Sequence, residues 1–284
     1  MAGGSGTPRR AAVLGSPVAH SLSPALHSAA YRELGLTGWS YTAIECDEQG
    51  LPGLLDSLGP DWAGLSLTMP LKRAVLPLLD YTEPLATQVG AANTVVFADG
   101  KRRGFNTDVG GIVTALRQAG VTTDGNVLVL GSGATACSAL AALRMTGTDA
   151  VCVAVRALDR ARPLLGLADR LGMQVAPVEF GPALASRRWQ LLISTIPAAG
   201  AEPVGAQLRA GALAADGVFD VIYDPWPTPL AAAASDAGAT VISGLEMLVH
   251  QAAGQVELMT GRVAPVGAMR AAGLAELARR RNIR

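Results

Sequence analysis

The stretch Val127-Leu-Val-Leu130-Gly131-Ser132-Gly133-Ala134-Thr-Ala136 decides the fold of this chain. Its four apolar residues predict a buried strand, its glycines a tight turn, and the Ala- and Leu-rich sequence up to Met145 a helix. The turn reads G-x-G-x-x-A: the first glycine permits the turn, the second lets the backbone approach a pyrophosphate, and the small last residue allows close packing. The stretch therefore predicts a nucleotide-binding unit.

Strands and helices alternate on both sides of this unit. Strands are predicted at 11–14, 41–45, 64–67, 151–155, 175–178, 191–194, 218–222 and 240–242, with a hairpin over 92–105. Helices are predicted at 23–34, 51–58, 108–119, 135–145, 159–171, 245–258 and 268–281. In the first helix, Ser23 is expected as N-cap and Pro24 as first helical residue. This alternation predicts an α/β fold with parallel pairing and a doubly wound Rossmann domain.

Composition narrows the function classes. The chain has 284 residues, zero formal net charge and 50% hydrophobic residues, which argues against nucleic acid or an anionic membrane as a main partner. Its three cysteines and three histidines form no zinc-binding spacing, so a reduced, cytoplasmic protein with no metal is expected. The uncharged stretch 125–143 is interrupted by glycines and is therefore interpreted as strand, turn and helix, not as a membrane span.

One lysine stands out because the chain uses arginine so heavily. Among 23 basic residues only Lys72 and Lys101 are lysines. Lysine can exchange a proton near neutral pH when its surroundings lower its pKa, whereas arginine cannot. A solvated loop lysine is the simpler alternative for Lys72. Its small polar neighbours in apolar sequence, Thr68, Asn93 and the run 104–108, favour a catalytic amine.

The strand after the glycine turn bears on the choice of dinucleotide. An NAD enzyme usually carries Asp or Glu at the end of this strand to bind the ribose hydroxyls. Here the strand ends in Arg156, followed by Arg160 and Arg162. A solvated basic helix face accounts for Arg162 and Arg170 but explains Arg156 poorly. The charge and forked donors of Arg156 suit a 2′-phosphate, so NADP is favoured over NAD.

Several further motifs form an ordered series. Ser21 and Ser23 place two hydroxyls at a strand-to-helix junction, where they suit a carboxylate. Together with segments 66–72, 90–94, 106–108, 220–230 and 244–251, this junction resembles the shikimate dehydrogenase family. The resemblance spans roughly residues 11 to 260. It implies reversible NADPH-dependent reduction of 3-dehydroshikimate to shikimate, in the pathway that supplies aromatic amino acids.

The resemblance also implies roles for individual residues. Lys72 and Asp108 would be the catalytic pair, with Lys72 supplying a proton. Substrate-binding residues would be Ser21, Ser23, Thr68, Asn93, Asp108, Tyr223 and Gln251. Cofactor-binding residues would be Gly131, Ser132, Gly133, Ala134, Arg156, Arg160, Ser194, Thr195, Gly244 and Met247. Because Gln251 follows the nucleotide domain, the last helices are expected to return to the first domain. The substrate domain would then comprise 11–107 and 244–284, and the NADP domain 108–243.

The chain departs from the family beside Arg156. The family commonly has Asn before this arginine and Ser or Thr after it, whereas Val155 and Ala157 stand here. Two side-chain partners of the adenosine phosphate are therefore absent. A quinate or aminoshikimate dehydrogenase, perhaps using NAD, stays open as an alternative. A catalytically silent dinucleotide sensor is disfavoured by the presence of Lys72 and Asp108. A small-molecule substrate and a monomer or homodimer are expected.

Overall fold

A computed structural model of the chain describes residues 8–181, 184 and 187–282. The chain forms two compact units. One comprises the residues up to Thr107 together with those from Leu248 onward, and the other runs from Asp108 to Met247. The sequence-based boundary at residue 244 is the first residue of a long helix, whereas the structural boundary falls between Met247 and Leu248 of that same helix.

The first unit contains a six-stranded sheet. Its strands are β1 (Arg9–Gly15), β2 (Trp39–Glu45), β3 (Trp62–Leu67), β4 (Tyr81–Thr82), β5 (Thr94–Ala98) and β6 (Lys101–Phe105). The strand order is β2-β1-β3-β5-β6-β4. Strands β2, β1 and β3 are parallel, and β5 and β6 form an antiparallel hairpin beside β3. The carboxyl ends of β1 and β3 therefore meet at one edge, because parallel strands bring the loops that follow them to the same side of a sheet.

Four α-helices of this unit precede residue 90. They are α1 (Ser23–Glu33), α2 (Leu51–Ser57), α3 (Leu71–Ala74) and α4 (Pro84–Val89), with a 3-10 turn at Leu76–Leu78. One face of the sheet packs its apolar residues with α2 and α3, in a core that includes Leu14, Leu51, Leu65 and Leu71. Alanine, leucine and valine make up most of this core, in keeping with the low aromatic content of 4%, and Trp62 and Cys46 complete it.

The second unit contains a six-stranded parallel sheet. Its elements are α5 (Thr107–Gln118, whose first residue belongs to the first unit), β7 (Val127–Leu130), α6 (Ala134–Met145), β8 (Ala150–Val155), α7 (Arg162–Leu171), β9 (Gln174–Glu179), β10 (Arg188–Ser194), α8 (Ala198–Arg209), β11 (Ala214–Asp220), α9 (Pro229–Asp236) and β12 (Thr240–Ser243). The order β12-β11-β10-β7-β8-β9 is that of a Rossmann sheet, and every pairing is parallel. The strand order reverses between β7 and β10, where such sheets bind ligands.

Two helices close the chain. Helix α10 runs over Gly244–Thr260 and α11 over Val266–Arg281. Helix α11 packs against α1, so the C-terminal helices return to the first unit as expected. The expected α/β fold with two domains, one of them doubly wound, is confirmed.

Some local predictions were wrong. Leu22, not Ser23, is the N-cap residue of α1, so Ser23 is the first helical residue and Pro24 the second. The strand expected to reach Ile222 ends at Asp220, and a 3-10 turn over Leu158–Ala161 replaces the first turn of the helix expected from 159. The sequence patterns also missed α3, α4, α8 and α9. Helix α8 contains Pro203 and two glycines, which obscure a helical pattern.

Candidate functional site

The loop after β1 carries the two serines proposed for a carboxylate. Its start lies against the loop after β3: the Thr68 amide donates to the Leu14 carbonyl at 2.9 Å, and the Ser16 amide donates to the Met69 carbonyl at 3.0 Å. A Cβ on Gly15 would overlap the Thr68 methyl group, so only glycine allows this approach. Glycine at position 15 thus brings the loops that bear Ser21 and Thr68 together.

Ser21 and Ser23 have different surroundings. Ser21 is partly exposed, and its Oγ accepts a hydrogen bond from the Ser23 amide at 3.2 Å. The sequence predicted that Ser23 would accept a hydrogen bond from a backbone amide at the start of the helix, and it is Ser21 that accepts such a bond. Ser23 is buried, with 4% of its surface exposed. The two residues lie together at the start of α1, but the hydroxyl of Ser21 is the more accessible of the two.

A residue from the end of α11 holds this loop. Arg280 Nη1 donates to the His20 carbonyl at 2.8 Å, and Nη2 donates to the Ser21 carbonyl at 3.2 Å. Arg280 Nε in turn donates to Glu276 Oε1 at 2.9 Å, which fixes the guanidinium on its own helix. Arg280 was not predicted as a site residue, because nothing local marks one arginine among several in a charged final turn.

Lys72 follows the carboxyl end of β3 on the short helix α3. The turn into this helix is closed by the Leu71 amide, which donates to the Thr68 carbonyl at 2.8 Å. The Lys72 carbonyl accepts from the Ala92 amide at 2.8 Å, which ties α3 to the segment that leads into Asn93. Thr68 and Lys72 are both partly buried. The first unit therefore brings the segments of Thr68, Lys72 and Asn93 to one end of the sheet.

The Asn93 side chain is buried and held by several partners. Its Oδ1 accepts from the Thr107 amide at 2.8 Å and from the Thr94 hydroxyl at 2.9 Å. Its Nδ2 donates to Thr107 Oγ1 at 2.9 Å and to Gln251 Oε1 at 3.2 Å. Only 1% of Asn93 and 6% of Gln251 are exposed. Two residues proposed as substrate ligands, 158 positions apart, are thus direct neighbours.

Gln255 lies one helical turn beyond Gln251 on α10 and is also buried. Its Oε1 accepts from Ser66 Oγ at 2.7 Å, and its Nε2 donates to Thr94 Oγ1 at 3.1 Å and to the Asn93 carbonyl at 3.3 Å. The Tyr41 hydroxyl donates to Ser66 Oγ at 2.6 Å. Neither Gln255 nor Tyr41 was predicted as a site residue. Two glutamines four residues apart on an apolar helix were the available signal.

His27 belongs to the interior of the first unit. Its ring is fully buried and stacks on Tyr41 with centroids 3.9 Å apart. Its Nδ1 donates to the Ser23 carbonyl at 2.9 Å, since a carbonyl can only accept. Burial lowers the pKa of His27 to about 4, against the opposing effect of this hydrogen bond. His27 is therefore a neutral residue that supports the start of α1.

In the second unit, the glycine turn lies between β7 and α6 as predicted. Gly131 has φ of 109°, and a Cβ there would come within 2.6 Å of Thr195 Oγ1. The Thr195 hydroxyl donates to the Leu130 carbonyl at 2.7 Å, so this side chain holds the turn from the neighbouring strand β10. Nothing lies within 4 Å of a Cβ built on Gly133, which leaves its backbone open. Ser194 is buried at the end of β10.

Arg156 follows β8 and is exposed. It lines a cavity of about 300 Å³ with largely apolar walls that include Phe180, Leu184 and Val204. Arg160 is exposed in the adjacent 3-10 turn but does not line this cavity. The structure thus places Arg156 beside a space of adequate size for an aromatic base, and Arg160 outside it.

The loop after β11 carries Tyr223, which is partly buried. The loop is fixed by Asp220, whose Oδ2 accepts from the Thr228 hydroxyl at 2.7 Å and whose Oδ1 accepts from the Ile222 amide at 3.2 Å. Burial raises the pKa of the Asp220 carboxyl, although both hydrogen bonds oppose the rise. Thr228 also caps α9 by accepting from the Ala231 amide at 3.0 Å. Asp220 and Thr228 therefore position this loop at both its ends.

Three other proposed residues lie at helix ends of the second unit. Asp108 is buried in the first turn of α5, with 3% of its surface exposed. Gly244 begins α10, and a Cβ there would overlap the Val221 carbonyl, so the close approach requires glycine. Met247 is buried one turn later.

The arrangement of the metal-ligating side chains and the character of the helices bear on the function classes. Over residues 8–181, 184 and 187–282, no three His, Cys, Asp or Glu side chains are grouped so that they could hold a metal ion. Within the same part of the chain, none of the helices has the length and apolar character needed to cross a membrane.

Two family models match the chain. The model described as the shikimate dehydrogenase substrate binding domain matches residues 13–95. The model described as the shikimate 5'-dehydrogenase C-terminal domain matches residues 244–272. These ranges contain Ser21, Ser23, Lys72, Asn93 and Gln251. Both matches fall mainly on the first unit and α10.

Individual relatives extend the similarity across both units. A shikimate dehydrogenase (NADP(+)) of Thermus thermophilus is 40% identical over 253 residues, covering 89% of this chain and 92% of that protein. The crystal structure of Mycobacterium tuberculosis shikimate dehydrogenase shares 45% identity with a TM-score of 0.84, covering 95% of this chain and 100% of that one. A crystal structure of a Thermus thermophilus shikimate 5-dehydrogenase, in complex with NADP(H) and shikimate, shares 34% identity with a TM-score of 0.80, covering 94% of this chain and 99% of that one.

Proposed function

The chain belongs to the shikimate dehydrogenase family, and on this premise we propose that it catalyses the reversible NADPH-dependent reduction of 3-dehydroshikimate to shikimate. This reaction is a step in the shikimate pathway of aromatic amino-acid biosynthesis. The observation that carries the proposal is the buried pair of Asn93 and Gln251, whose amides lie 3.2 Å apart in a unit that also carries Lys72. Such a pair offers a donor and an acceptor to a ring hydroxyl.

On the substrate side, we assign the carboxylate to Ser21 and Ser23, assisted by Tyr223. The partial exposure of Ser21, and its position directly before α1, support this role. We assign the ring hydroxyls to Thr68, Asn93, Asp108 and Gln251. Both amides in this set are already oriented by hydrogen bonds to the protein, so little conformational entropy is lost when substrate binds.

Lys72 supplies the proton. Reduction of a ketone leaves negative charge on its oxygen, so a cationic group within reach stabilises the developing charge and can then protonate it. Lys72 is partly buried, which strengthens such an interaction relative to bulk water. Asp108 orients the ammonium and a substrate hydroxyl together. No metal takes part in this scheme, since the charge is carried by these two residues.

The second unit fits the dinucleotide. The open backbone at Gly133 and the turn at Gly131 suit a pyrophosphate at the start of α6, together with Ser132 and Ala134. Arg156 would hold the 2′-phosphate, and the cavity beside it would take the adenine. Gly244 and Met247 would line the nicotinamide side. When bound, NADPH supplies the hydride that reaches the ketone carbon.

Two cofactor assignments take a more specific form in this proposal. The Thr195 hydroxyl is bonded to the Leu130 carbonyl, so we assign Thr195 to the shape of the glycine turn and keep Ser194 as a cofactor-binding residue. Arg160 does not line the cavity next to Arg156, so we assign it a secondary, long-range charge effect. The first unit is accordingly the substrate domain and the second the NADP domain. A cytoplasmic protein that acts as a monomer or homodimer completes the proposal.

The direct test is a spectrophotometric assay. Purified protein is mixed with NADPH and 3-dehydroshikimate, and the loss of NADPH absorbance is followed. The reverse reaction with shikimate and NADP is measured in parallel. We expect turnover in both directions. No turnover with either substrate, from protein shown by circular dichroism to be folded, would overturn the proposal.

One observation favours a second candidate. Val155 and Ala157 flank Arg156, so side-chain partners of a 2′-phosphate are fewer than in the family pattern. This favours a variant enzyme that also uses NAD, and a quinate or aminoshikimate dehydrogenase is the alternative of that kind. The candidates are separated by measuring kcat/KM with NADPH and with NADH against the 3-keto forms of shikimate, quinate and an aminoshikimate. The first proposal expects kcat/KM to be highest for NADPH with 3-dehydroshikimate.

A further inference from the structure

A continuous chain of hydrogen bonds crosses the interior of the first unit. It runs from the Tyr41 hydroxyl through side chains on β3, α10 and β5 to the two substrate amides. In order, the members are Tyr41, Ser66, Gln255, Thr94, Asn93 and Gln251. Each donates to the next, over distances from 2.6 to 3.2 Å. All six residues are buried, with at most 6% of their surface exposed.

Backbone groups fix the orientation of each amide in this chain. The Asn93 carbonyl can only accept, so it must face Gln255 Nε2 at 3.3 Å. The Thr107 amide can only donate, so it must face Asn93 Oδ1 at 2.8 Å. The Leu248 carbonyl likewise requires Gln251 Nε2 at 2.9 Å. Reversing any one of these amides would set like groups against each other in a buried site.

The hydrogen bonds of the hydroxyl groups between the amides run in the same direction, from donor to acceptor along the chain. Thr94 accepts from Gln255 Nε2, so its own proton is free to go to Asn93 Oδ1. Ser66 accepts from Tyr41 and gives its proton to Gln255 Oε1. Burial raises the pKa of Tyr41, so its hydroxyl remains a donor at any working pH. The outcome at the far end is a donor, Asn93 Nδ2, that faces an acceptor, Gln251 Oε1.

We infer that Gln255, linked to Ser66 and Tyr41, is a positioning residue that sets the donor and acceptor sides of Asn93 and Gln251. It thereby selects a substrate group that replaces the contact between the two amides, accepting from Asn93 Nδ2 and donating to Gln251 Oε1. A hydroxyl does both, whereas an ammonium can only donate and a keto oxygen can only accept. The inference rests on the proposed function and adds Gln255 to the determinants of substrate choice.

Two substitutions break the chain without opening a cavity. Gln255→Glu has nearly the same shape, but its carboxylate takes the Thr94 proton and so removes the donor to Asn93 Oδ1. Thr94→Val removes the hydroxyl and keeps the branched shape. We expect each to raise the KM for shikimate about tenfold, since a buried polar group is left without its partner. The KM for NADP should change less than twofold. The kcat/KM preference for shikimate over an aminoshikimate should fall by a similar factor.

Two controls separate positioning from stability. Gln174→Glu makes the same chemical change at an exposed residue of β9 and should leave both KM values as in the wild type. Thr94→Ser keeps the hydroxyl but loses a buried methyl group. It should therefore lower Tm and yet retain the wild-type KM for shikimate. A purely structural role predicts that the lower Tm of Thr94→Ser is accompanied by a raised KM.

The outcomes distinguish the two proposals. Wild-type turnover with unaltered shikimate KM and substrate preference in Gln255→Glu and Thr94→Val would overturn the positioning role alone. A shikimate KM that is raised in Thr94→Ser, in step with its lower Tm, would also overturn it. If folded wild-type protein reduces no 3-dehydroshikimate, the proposed function fails, and the role of Gln255 in substrate choice fails with it.

Discussion

The candidate sites of the two units are built in contrasting ways. In the first unit, the polar groups are side chains such as Asn93 and Gln251, buried and bonded to each other. In the second unit, they are the backbone of the turn at Gly131 and the exposed side chain of Arg156. The first arrangement depends on side-chain chemistry at distant positions, and the second depends on local backbone conformation and charge.

This contrast indicates which kinds of substitution should impair each unit. Buried side-chain networks lose free energy when any member is changed, because a partner remains unsatisfied in a low-dielectric interior. Backbone turns tolerate side-chain changes that respect their conformation, and exposed charges act through a field that salt screens. We therefore expect substitutions at site residues of the first unit to have all-or-none effects on function. Substitutions in the second unit should have graded effects that depend on the salt concentration. Four predictions test this difference, from the largest effect to the smallest.

The largest effect is expected at Lys72. Lys72→Ala should lower kcat by about 10²–10⁴-fold, the usual cost of losing a general acid, with a much smaller change in KM. Lys72→Arg should not restore the rate, because guanidinium keeps the charge but gives up a proton poorly. Steady-state kinetics with 3-dehydroshikimate measures both variants.

Lys101→Ala is the matched control for this prediction. Lys101 is the only other lysine of the chain and is exposed at the start of β6. Its removal should leave kcat unchanged. Near-wild-type activity of Lys72→Arg would show that position 72 contributes only positive charge. The first unit would then depend on charge at this position, as the second unit depends on the charge of Arg156.

The next effect is the pH dependence contributed by His27. Its pKa is lowered to about 4 in the folded state, below the ordinary value of 6.5. The neutral ring therefore contributes its full stability above pH 6.5, and this is lost as pH falls toward 4, because the unfolded state binds a proton first. The loss should reach about 3 kcal/mol at 1.36 kcal/mol per pKa unit. Urea unfolding at several pH values measures it.

The variant His27→Phe isolates this contribution. It keeps an aromatic ring beside Tyr41 but cannot titrate. Between pH 6.5 and 4, the unfolding free energy of the wild type should therefore fall by about 3 kcal/mol more than that of His27→Phe. His20→Gln, which replaces an exposed histidine, is the matched control. A constant difference across this range would mean that His27 accepts a proton within the fold.

A smaller effect is expected at Arg156. Arg156→Ala should raise the KM for NADPH about tenfold to a hundredfold, since a charge-assisted contact is worth roughly 1.5–3 kcal/mol. The KM for 3-dehydroshikimate should change little. The effect should shrink as ionic strength rises, because Arg156 is exposed.

Arg162→Ala provides the comparison for this variant, since Arg162 is exposed on the next helix. It should alter neither KM. Equal use of NADH and NADPH by the wild type would contradict the assignment of Arg156 to the 2′-phosphate.

The smallest effect concerns the two glycines of the turn. Gly131→Ala should destabilise the fold by about 1–2 kcal/mol, because its φ of 109° disfavours any Cβ and Thr195 occupies the space. Gly133→Ala has open space around its Cβ and should leave Tm unchanged, while raising the KM for NADPH. Thermal unfolding and kinetics on both variants check this division. Equal loss of Tm in the two would show that the turn responds as a single unit.

Local patterns sufficed for much of the fold. The strand Val127–Leu130, the glycine turn and the helix to Met145 follow from neighbouring residues, and the structure has them at nearly the predicted bounds. The prediction that Ser23 caps α1 failed because a serine two residues earlier satisfies its amide. Similarly, α8 escaped notice because Pro203 lies inside it.

The site could be predicted only in part. Individual candidates such as Lys72, Asn93 and Gln251 stood out by residue type and by the family resemblance, and their roles remain predictions. The supporting residues were not predictable, because their contacts join distant parts of the chain. Ser66 and Gln255 are 189 positions apart, and Arg280 reaches His20 across 260. Neither spacing nor periodicity carries information at that range.

The division of the chain has a consequence for its biosynthesis. The first unit is assembled from two segments, and the whole second unit lies between them in the sequence. A ribosome therefore releases β1 to β6 more than a hundred residues before α10 emerges. Until then Ser66, Asn93 and Thr94 lack their glutamine partners and must stay hydrated or be sheltered by a chaperone. The first unit, although it is the first to be translated, is the last to be completed.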